Sequence, residues 1–207
     1  REKLEKYSQR TSKLISDINQ WSEALVAREI ATGLPSGTSL FISSSCPIRD
    51  IEACATARDG IETFANRGLA GIDGNISTAL GIASQRKETT AVLGDLSFLH
   101  DITGLIHDEK INLRIVVINN NGGGIFSTLS HRGANGFETV FGTPHNLDIA
   151  AIASSFGVTT SVIKDKAALI AELSKPVQGL SLAVIEVPHR ERNADHWASL
   201  IKAVESI

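Results

Sequence analysis

Apolar residues occur in short blocks separated by polar or glycine-containing turns, and the blocks alternate between two textures. Ser39 to Ser43 (SLFIS), Glu62 to Asn66, Thr89 to Leu93 (TTAVL), Leu113 to Ile118 (LRIVVI), Thr159 to Ile163 and Ser181 to Glu186 read as strands. The LRIVVI block is β-branched and apolar on both faces, as a central parallel strand requires. Helices are predicted between them at Pro47 to Ala57, Asp73 to Ser84, Phe98 to Glu109, Asp148 to Phe156 and Lys166 to Leu173, with a closing helix at Ala194 to Val204. Ser22 is placed to cap a helix from Glu23 to Thr32 that Gly33-Leu34-Pro35 ends. The first twenty or so residues form a charged helix, so residues 1–21 read as a helical segment or linker and 22–207 as one domain. Strand and helix alternate throughout. The expected fold is α/β, a doubly wound, mostly parallel sheet flanked by helices. The polar, glycine-containing stretch Ser130 to Gly136 is the expected mobile loop.

Composition narrows the functional classes. With 42% hydrophobic residues the chain can bury a substantial core, which excludes disorder. Lys+Arg 20 against Asp+Glu 23 gives a net charge of -3, unsuited to general nucleic-acid binding. No apolar run is long enough to span a bilayer and no signal peptide is visible, so a soluble, cytoplasmic protein is expected. Cys46 and Cys54 form no metal-ligand pattern and are expected as free thiols. The chain contains no Met, so Arg1 is not an initiator and a processed chain or a piece of something longer is expected.

Two strand ends carry unusual chemistry. TTAVL runs into Gly94-Asp95-Leu96-Ser97, and RIVVI runs into Asn119-Asn120-Asn121-Gly122-Gly123-Gly124. Ligands of open α/β sheets bind beyond the carboxyl ends of the strands. Gly94 would let the backbone turn and come close to a ligand. The Asp95 carboxylate would repel a phosphate unless a cation lay between them; Mg²⁺ fits, since it takes oxygen ligands from one or two protein groups plus phosphates. Asn120 offers an amide oxygen and Gly122 a carbonyl as further ligands. The backbone N–H groups of Leu96, Ser97 and the glycine run through Gly123 suit phosphate oxygens. Taken singly, an Asp at a strand-to-helix junction is often a cap and an Asn/Gly run a turn; together, at one sheet edge, they are specific.

Gly94-Asp95-Leu96-Ser97 followed after a spacer by Asn119-Asn120 resembles the thiamin-diphosphate signature. The resemblance implies a metal held by Asp95, Asn120 and the Gly122 carbonyl, with Mg²⁺ or alternatively Mn²⁺. Ser43-Ser44-Ser45-Cys46-Pro47-Ile48-Arg49-Asp50, Asn66 to Gly74 (NRGLAGIDG), Asn119 to Phe126 (NNNGGGIF) and Phe141 to His145 (FGTPH) look like the MenD family of the menaquinone pathway. That family decarboxylates 2-oxoglutarate and adds the resulting carbanion equivalent to isochorismate. The resemblance makes residues 22–207 a thiamin-diphosphate-binding domain, with Ser45, Arg49 and Arg67 on substrate, Ile125 and Phe126 walling the cavity, and Ile72 propping the cofactor. Arg suits dicarboxylate substrates because its planar fork binds carboxylates bidentately. The chain departs from the family at Ser43-Ser44, where Gly-Asn is usual, and at Leu96, often Gly.

The resemblance also implies what these residues do not supply. The glutamate that protonates the aminopyrimidine sits in that family on a separate pyrimidine-binding domain, across a dimer interface. No catalytic residue is therefore assigned here, a homo-oligomer (dimer or tetramer) is expected, and this polypeptide alone should bind cofactor weakly and turn over nothing. His100 and His145 lie nearest the motifs; a His there more often caps, packs or faces solvent. Another thiamin-diphosphate decarboxylase or carboligase, and a non-catalytic thiamin-fold binding module, are the alternatives.

Overall fold

A computed structural model of the chain describes residues 2–106 and 110–206. Six strands, β1 (Ser39–Ile42), β2 (Glu62–Phe64), β3 (Thr89–Gly94), β4 (Leu113–Asn119), β5 (Thr159–Ile163) and β6 (Leu180–Glu186), form one sheet in the order β2-β1-β3-β4-β6-β5. Every pairing is parallel. The helices are α1 (Glu2–Ser16), α2 (Glu23–Gly33), α3 (Cys46–Cys54), α4 (Asn75–Ala83), α5 (Asp95–His100), α6 (Ile149–Ser155), α7 (Lys166–Leu173) and α8 (Arg190–Glu205).

Strand side chains divide by parity between two cores. Val116 and Ile118 of β4 join Leu40, Ile42, Val92 and Ile185 against α2, α3 and α7. Leu113, Ile115 and Val117 face the other way, with Phe41, Leu93 and Val184, against α4, α5 and α6. Both faces of β4 are thus dry, which is why its sequence shows no polar alternation. Ile18 is in the first core and Ile15 packs against it, and Arg28 Nη1 donates to the Ile15 and Ser16 carbonyls at 2.8 and 2.9 Å, so the end of α1 is fastened to α2.

Several boundaries differ from expectation. The helix expected at Phe98 begins at Asp95, directly on β3, and ends at His100; a 3-10 turn, Ile102–Leu105, follows. Asp101 breaks it because its carboxylate caps α4, accepting from the N–H groups of Ile76 (2.6 Å) and Ser77 (3.1 Å). Residues 107–109, the expected end of that helix, lie outside the described residues. Helix α3 ends at Cys54 rather than Ala57, with Ala55 already extended. Helix α8 begins a turn earlier than expected, at Arg190. The stretch after the glycine run forms a 3-10 turn (Gly124–Thr128), linked turns through 129–136 and a π turn (Glu138–Gly142). Arg132 Nη1 ties those turns to Asp195 of α8 at 2.6 Å.

Among the described residues, no helix is long and apolar enough to cross a membrane.

Candidate functional site

The strand order reverses between β1 and β3, which places the switch point of the sheet at the carboxyl ends of β1, β3 and β4. Gly94 of β3 is in register with Ile118 of β4, so Asp95 and the Asn119-Asn120 pair leave the sheet side by side. Gly94 has ordinary extended geometry (φ -77, ψ 161), so the turn does not require glycine. A Cβ there would meet nothing within 4 Å. Its contribution is open space beside the strand end rather than backbone freedom.

Asp95 is buried, 2% exposed. Its Oδ1 accepts from the Leu96 N–H at 2.7 Å, and its Oδ2 accepts from the Gly122 N–H at 2.8 Å and lies 3.2 Å from His145 Nε2. The backbone reverses here through Asn121 (φ 66) and Gly122 (φ 131). Gly122 is obligatory: its φ lies in the region L side chains avoid, and a Cβ would stand 2.1 Å from the Gly142 carbonyl oxygen. Asn121 holds the facing loop, its Oδ1 accepting from the N–H groups of His145 (3.2 Å) and Asn146 (2.9 Å).

Asn120 is also buried. Its Nδ2 donates to Glu23 Oε1 at 2.6 Å, whereas its Oδ1 is buried without a hydrogen-bond partner. A buried amide oxygen left orphaned is costly, on the order of 1–3 kcal/mol, unless something else coordinates it. With the Asp95 carboxylate and the Gly122 carbonyl, the site offers hard oxygen donors of the kind Mg²⁺ selects. The Gly122 carbonyl already accepts from Gly124 N–H at 2.9 Å, leaving one lone pair. The residues present therefore fit a hard divalent cation. The expected phosphate donors are partly engaged: Leu96 and Gly122 N–H groups bond Asp95, and the Gly123 N–H bonds Gly142 O at 2.8 Å. A bound diphosphate would compete with these acceptors.

Ser97 ties this turn to the loop before α4. Its hydroxyl donates to the Ile72 carbonyl at 3.3 Å and accepts from Asn75 Nδ2 at 2.9 Å. That brings Ile72, 41% exposed, beside the β3 end. At the β1 end, Ser44 Oγ donates to the Asn66 carbonyl at 3.3 Å, joining β1 to the segment after β2. Ser45 sits at φ 76, a left-handed conformation that costs a non-glycine residue strain. Its carbonyl accepts from Arg49 Nη1 at 2.7 Å, folding that guanidinium onto the start of α3. Arg67 is exposed, just beyond β2.

A cavity of about 370 Å³ opens between α3, α8 and the Gly124–Thr128 turn, its walls including Glu23, Cys46, Arg49, Asp50, Ile125 and Trp197. Arg49 and Ile125 meet there. Ser45, Arg67 and Phe126 lie outside its lining. Phe126 instead packs against Phe141, ring centroids 5.4 Å apart, in a cluster with Phe137 and His131. His145 is drawn onto Asp95, while His100 ends α5 exposed.

Sequence reasoning missed the second layer. Glu23, read only as a first-turn helix residue, is 3% exposed and accepts from both Asn120 and Asn193 Nδ2. Burial, and to a lesser extent the Asp95 charge, raise its pKa, with hydrogen bonds accepted from Asn120, Asp50 and Asn193 opposing. Asp50 is pushed up to about 8 by burial and by the neighbouring Glu23, while the Arg49 guanidinium works the other way. Burial and the adjacent Glu23 and Asp50 carboxylates raise the Cys46 thiol, which disfavours its thiolate at neutral pH. Arg190, 1% exposed, donates to the Asn121 carbonyl at 2.8 Å and pairs with Glu138, clamping the glycine loop from α8.

The Asp50 shift predicts a pH dependence. A carboxyl whose folded pKa exceeds its unfolded value of about 3.9 binds the extra proton only in the fold. Stability should therefore decline as pH rises from about 4 to about 8, then level off. Asp50→Asn should flatten that decline and be more stable than the parent at the alkaline end. Urea midpoints at both ends of the range check this; parallel pH profiles for the two proteins would contradict it.

A doubly wound sheet with oxygen donors on neighbouring strand ends at its switch point is a cofactor-binding architecture. The family model described as "Thiamine pyrophosphate enzyme, C-terminal TPP binding domain" matches residues 53–187, and the chain belongs to that family. It is 40% identical over 183 residues to the 2-succinyl-5-enolpyruvyl-6-hydroxy-3-cyclohexene-1-carboxylate synthase of Thermobifida fusca (strain YX), covering 84% of this chain and 32% of that protein. The synthase of the same name from Paenarthrobacter aurescens (strain TC1) is 44% identical over 170 residues, covering 76% and 30%. That from Geobacillus kaustophilus (strain HTA426) is 41% identical over 174 residues, covering 81% and 30%. The chain thus spans about a third of the length of the curated relatives it matches. A candidate thiamin diphosphate-dependent enzyme from Mycobacterium smegmatis superposes with a TM-score of 0.61 at 22% identity, over 84% of this chain and 33% of that one, a likeness of fold.

Proposed function

We propose that this chain is the cofactor-binding part of a thiamin-diphosphate- and Mg²⁺-dependent transferase that decarboxylates 2-oxoglutarate and adds the succinyl carbanion equivalent to isochorismate, in the menaquinone pathway of the cytoplasm. The observation that carries the cofactor reading is the Asn120 Oδ1 atom, buried and unpartnered next to a strand end that presents a buried carboxylate. Asp95, Asn120 and the Gly122 carbonyl would hold the metal. Gly94 leaves space for the diphosphate, and Leu96, Ser97 and Gly123 border it. When bound, thiamin diphosphate supplies the carbon centre that stabilises the carbanion equivalent left by decarboxylation.

The chain's own residues bind and orient. Ile72 stands exposed where Ser97 fastens its carbonyl, a position from which it would support the bent cofactor. Arg49, Arg67 and Ser45 lie at the β1 and β2 ends and would fix the carboxylates of the substrates, with Ile125 and Phe126 as apolar walls. The acid that activates the aminopyrimidine would come from the pyrimidine-binding domain of the larger enzyme, across a homo-oligomer interface, so the chain alone turns over nothing. The 40–44% identity to synthases of this one name supports the reaction.

In the intact enzyme, Arg49→Ala combined with Arg67→Ala should lower kcat/KM for 2-oxoglutarate by about 100-fold or more, since each loses a charge-assisted carboxylate contact. Carbon dioxide release from 2-oxoglutarate and from pyruvate, measured side by side, tests the reaction. A parent enzyme that preferred pyruvate, or a double variant with unchanged 2-oxoglutarate kinetics, would contradict it.

A further inference from the structure

We infer that Glu23 is a positioning residue for the metal site: its carboxylate fixes the Asn120 side-chain amide with the nitrogen turned inward, which reserves Oδ1 for the cation. The inference rests on the proposed reading of Asp95, Asn120 and Gly122 as ligands.

An asparagine amide presents two donors on one corner and an acceptor on the other, and only its surroundings decide which corner faces where. At Asn120 the decision is forced. Nδ2 lies 2.6 Å from Glu23 Oε1, which also accepts from Asn193 Nδ2, so a carbonyl oxygen turned to that position would face the lone pairs of another acceptor. The Nδ2 corner is also closely packed, since a Cβ on Gly124 would come within 2.3 Å of it. Flipping the amide would set Oδ1 against a carboxylate and put two donors where the unpartnered acceptor now lies.

Glu23 is itself held rigidly. Asn193 of α8 donates Nδ2 to the same Oε1 at 2.9 Å and to the Pro188 carbonyl at 2.6 Å, and its Oδ1 accepts from the Glu23 N–H at 3.3 Å. Ser22 caps α2 one residue earlier, its Oγ accepting from Leu25 N–H at 3.3 Å. A capped helix start and two bonds to Asn193 thus fix the residue whose carboxylate also accepts from the Asn120 amide. A buried carboxyl serving the fold alone needs no particular relation to a ligand; this one bonds the Asn whose opposite atom is orphaned. Partners that orient metal ligands in this way are typically worth about 10–100-fold in metal affinity.

The test compares the intact enzyme carrying the parent Glu23 with its Glu23→Leu, Glu23→Asp and Glu23→Gln variants. Two readouts are used: the ¹H–¹⁵N resonances of the Asn120 amide, and Mn²⁺ binding in the presence of thiamin diphosphate followed by electron paramagnetic resonance. Gln retains an oxygen that can accept from Asn120 and Asn193, so it should leave the Asn120 amide shifted and slow to exchange, with Mn²⁺ affinity within a few-fold of the parent. Leu removes the acceptor, and should move the Asn120 resonances to free-amide positions and weaken Mn²⁺ binding about 10–100-fold. Asp, one methylene shorter, should fall between, and serves if the Leu variant does not fold. An unchanged Asn120 amide and unchanged Mn²⁺ affinity in folded Leu or Asp variants would overturn the inference. If the parent shows no Mn²⁺ binding that Asp95→Asn abolishes, the ligand assignment fails, while the amide resonances still report whether Glu23 holds Asn120.

Discussion

Asp95→Asn should abolish Mg²⁺-dependent binding of thiamin diphosphate, with the apparent dissociation constant raised by about 100-fold or more. The substitution is isosteric but replaces an acceptor-only group by one whose amide corner can only donate. Asp95 accepts from Leu96 and Gly122 N–H groups and faces His145, so an Asn side chain must turn a donor towards another donor in either orientation. It also removes the one formal negative charge among the three proposed ligands, the group that offsets the cation beside a diphosphate. The fold should survive with a loss of about 1–3 kcal/mol, the usual cost of disturbing a buried hydrogen-bonded group. Calorimetric titration of thiamin diphosphate with and without Mg²⁺ separates the two effects. Equal binding by parent and variant would remove Asp95 from the site.

The second large effect is expected at Gly122. An Ala Cβ would lie 2.1 Å from the Gly142 carbonyl oxygen and 3.1 Å from that of Thr143, both backbone atoms, at a φ of 131 that L residues rarely adopt. Neither neighbour is a flexible side chain that can swing away. A Cβ built on Gly142 would stand 2.8 Å from the buried Arg190 guanidinium, so the facing loop has little room to retreat. The expected cost is about 3 kcal/mol or more from strain and overpacking together. Because the Gly122 N–H holds Asp95, metal affinity should fall with stability. Gly81 of α4 is the matched control: a Cβ there meets nothing within 4 Å, so Gly81→Ala should be neutral or stabilise by up to about 1 kcal/mol. Thermal melts of the two variants check the contrast, and a Gly122→Ala protein as stable as the parent would show that the loop repacks freely.

The sheet was legible in the sequence because its central strands obey one rule, β-branched, apolar blocks interrupted by turn residues; the exposed edge strand β2 (Glu62–Phe64) does not. Thr159–Ile163 and Lys166–Leu173 fall where the pattern put them, and the Asp95 and Asn120 strand ends are adjacent in register. What escaped is polar structure whose partners are far away in the chain. Hydrophobic periodicity gives no reason to bury Arg190 or Asn193, so the start of α8 looked like a loop. Both are buried because the Asn121 carbonyl and Glu23 meet them there. Glu23 carries no signal either, since an acid in the first turn is what any helix favours. Asp101 ends α5 in order to cap α4, a tertiary choice that local propensity opposes. Residues 124–128 and 138–142 form 3-10 and π turns joined by irregular turns, which have no repeat long enough to read.

Anomalous scattering from a crystal of the intact enzyme grown with Mn²⁺ and thiamin diphosphate tests the central claim most directly. The account predicts one Mn²⁺ peak in contact with an Asp95 carboxylate oxygen, Asn120 Oδ1 and the Gly122 carbonyl. A peak instead on Glu23, Cys46 and Asp50, whose ligand atoms lie within 4.8 Å of one another, or bound cofactor with no metal at the β3 and β4 ends, would contradict it.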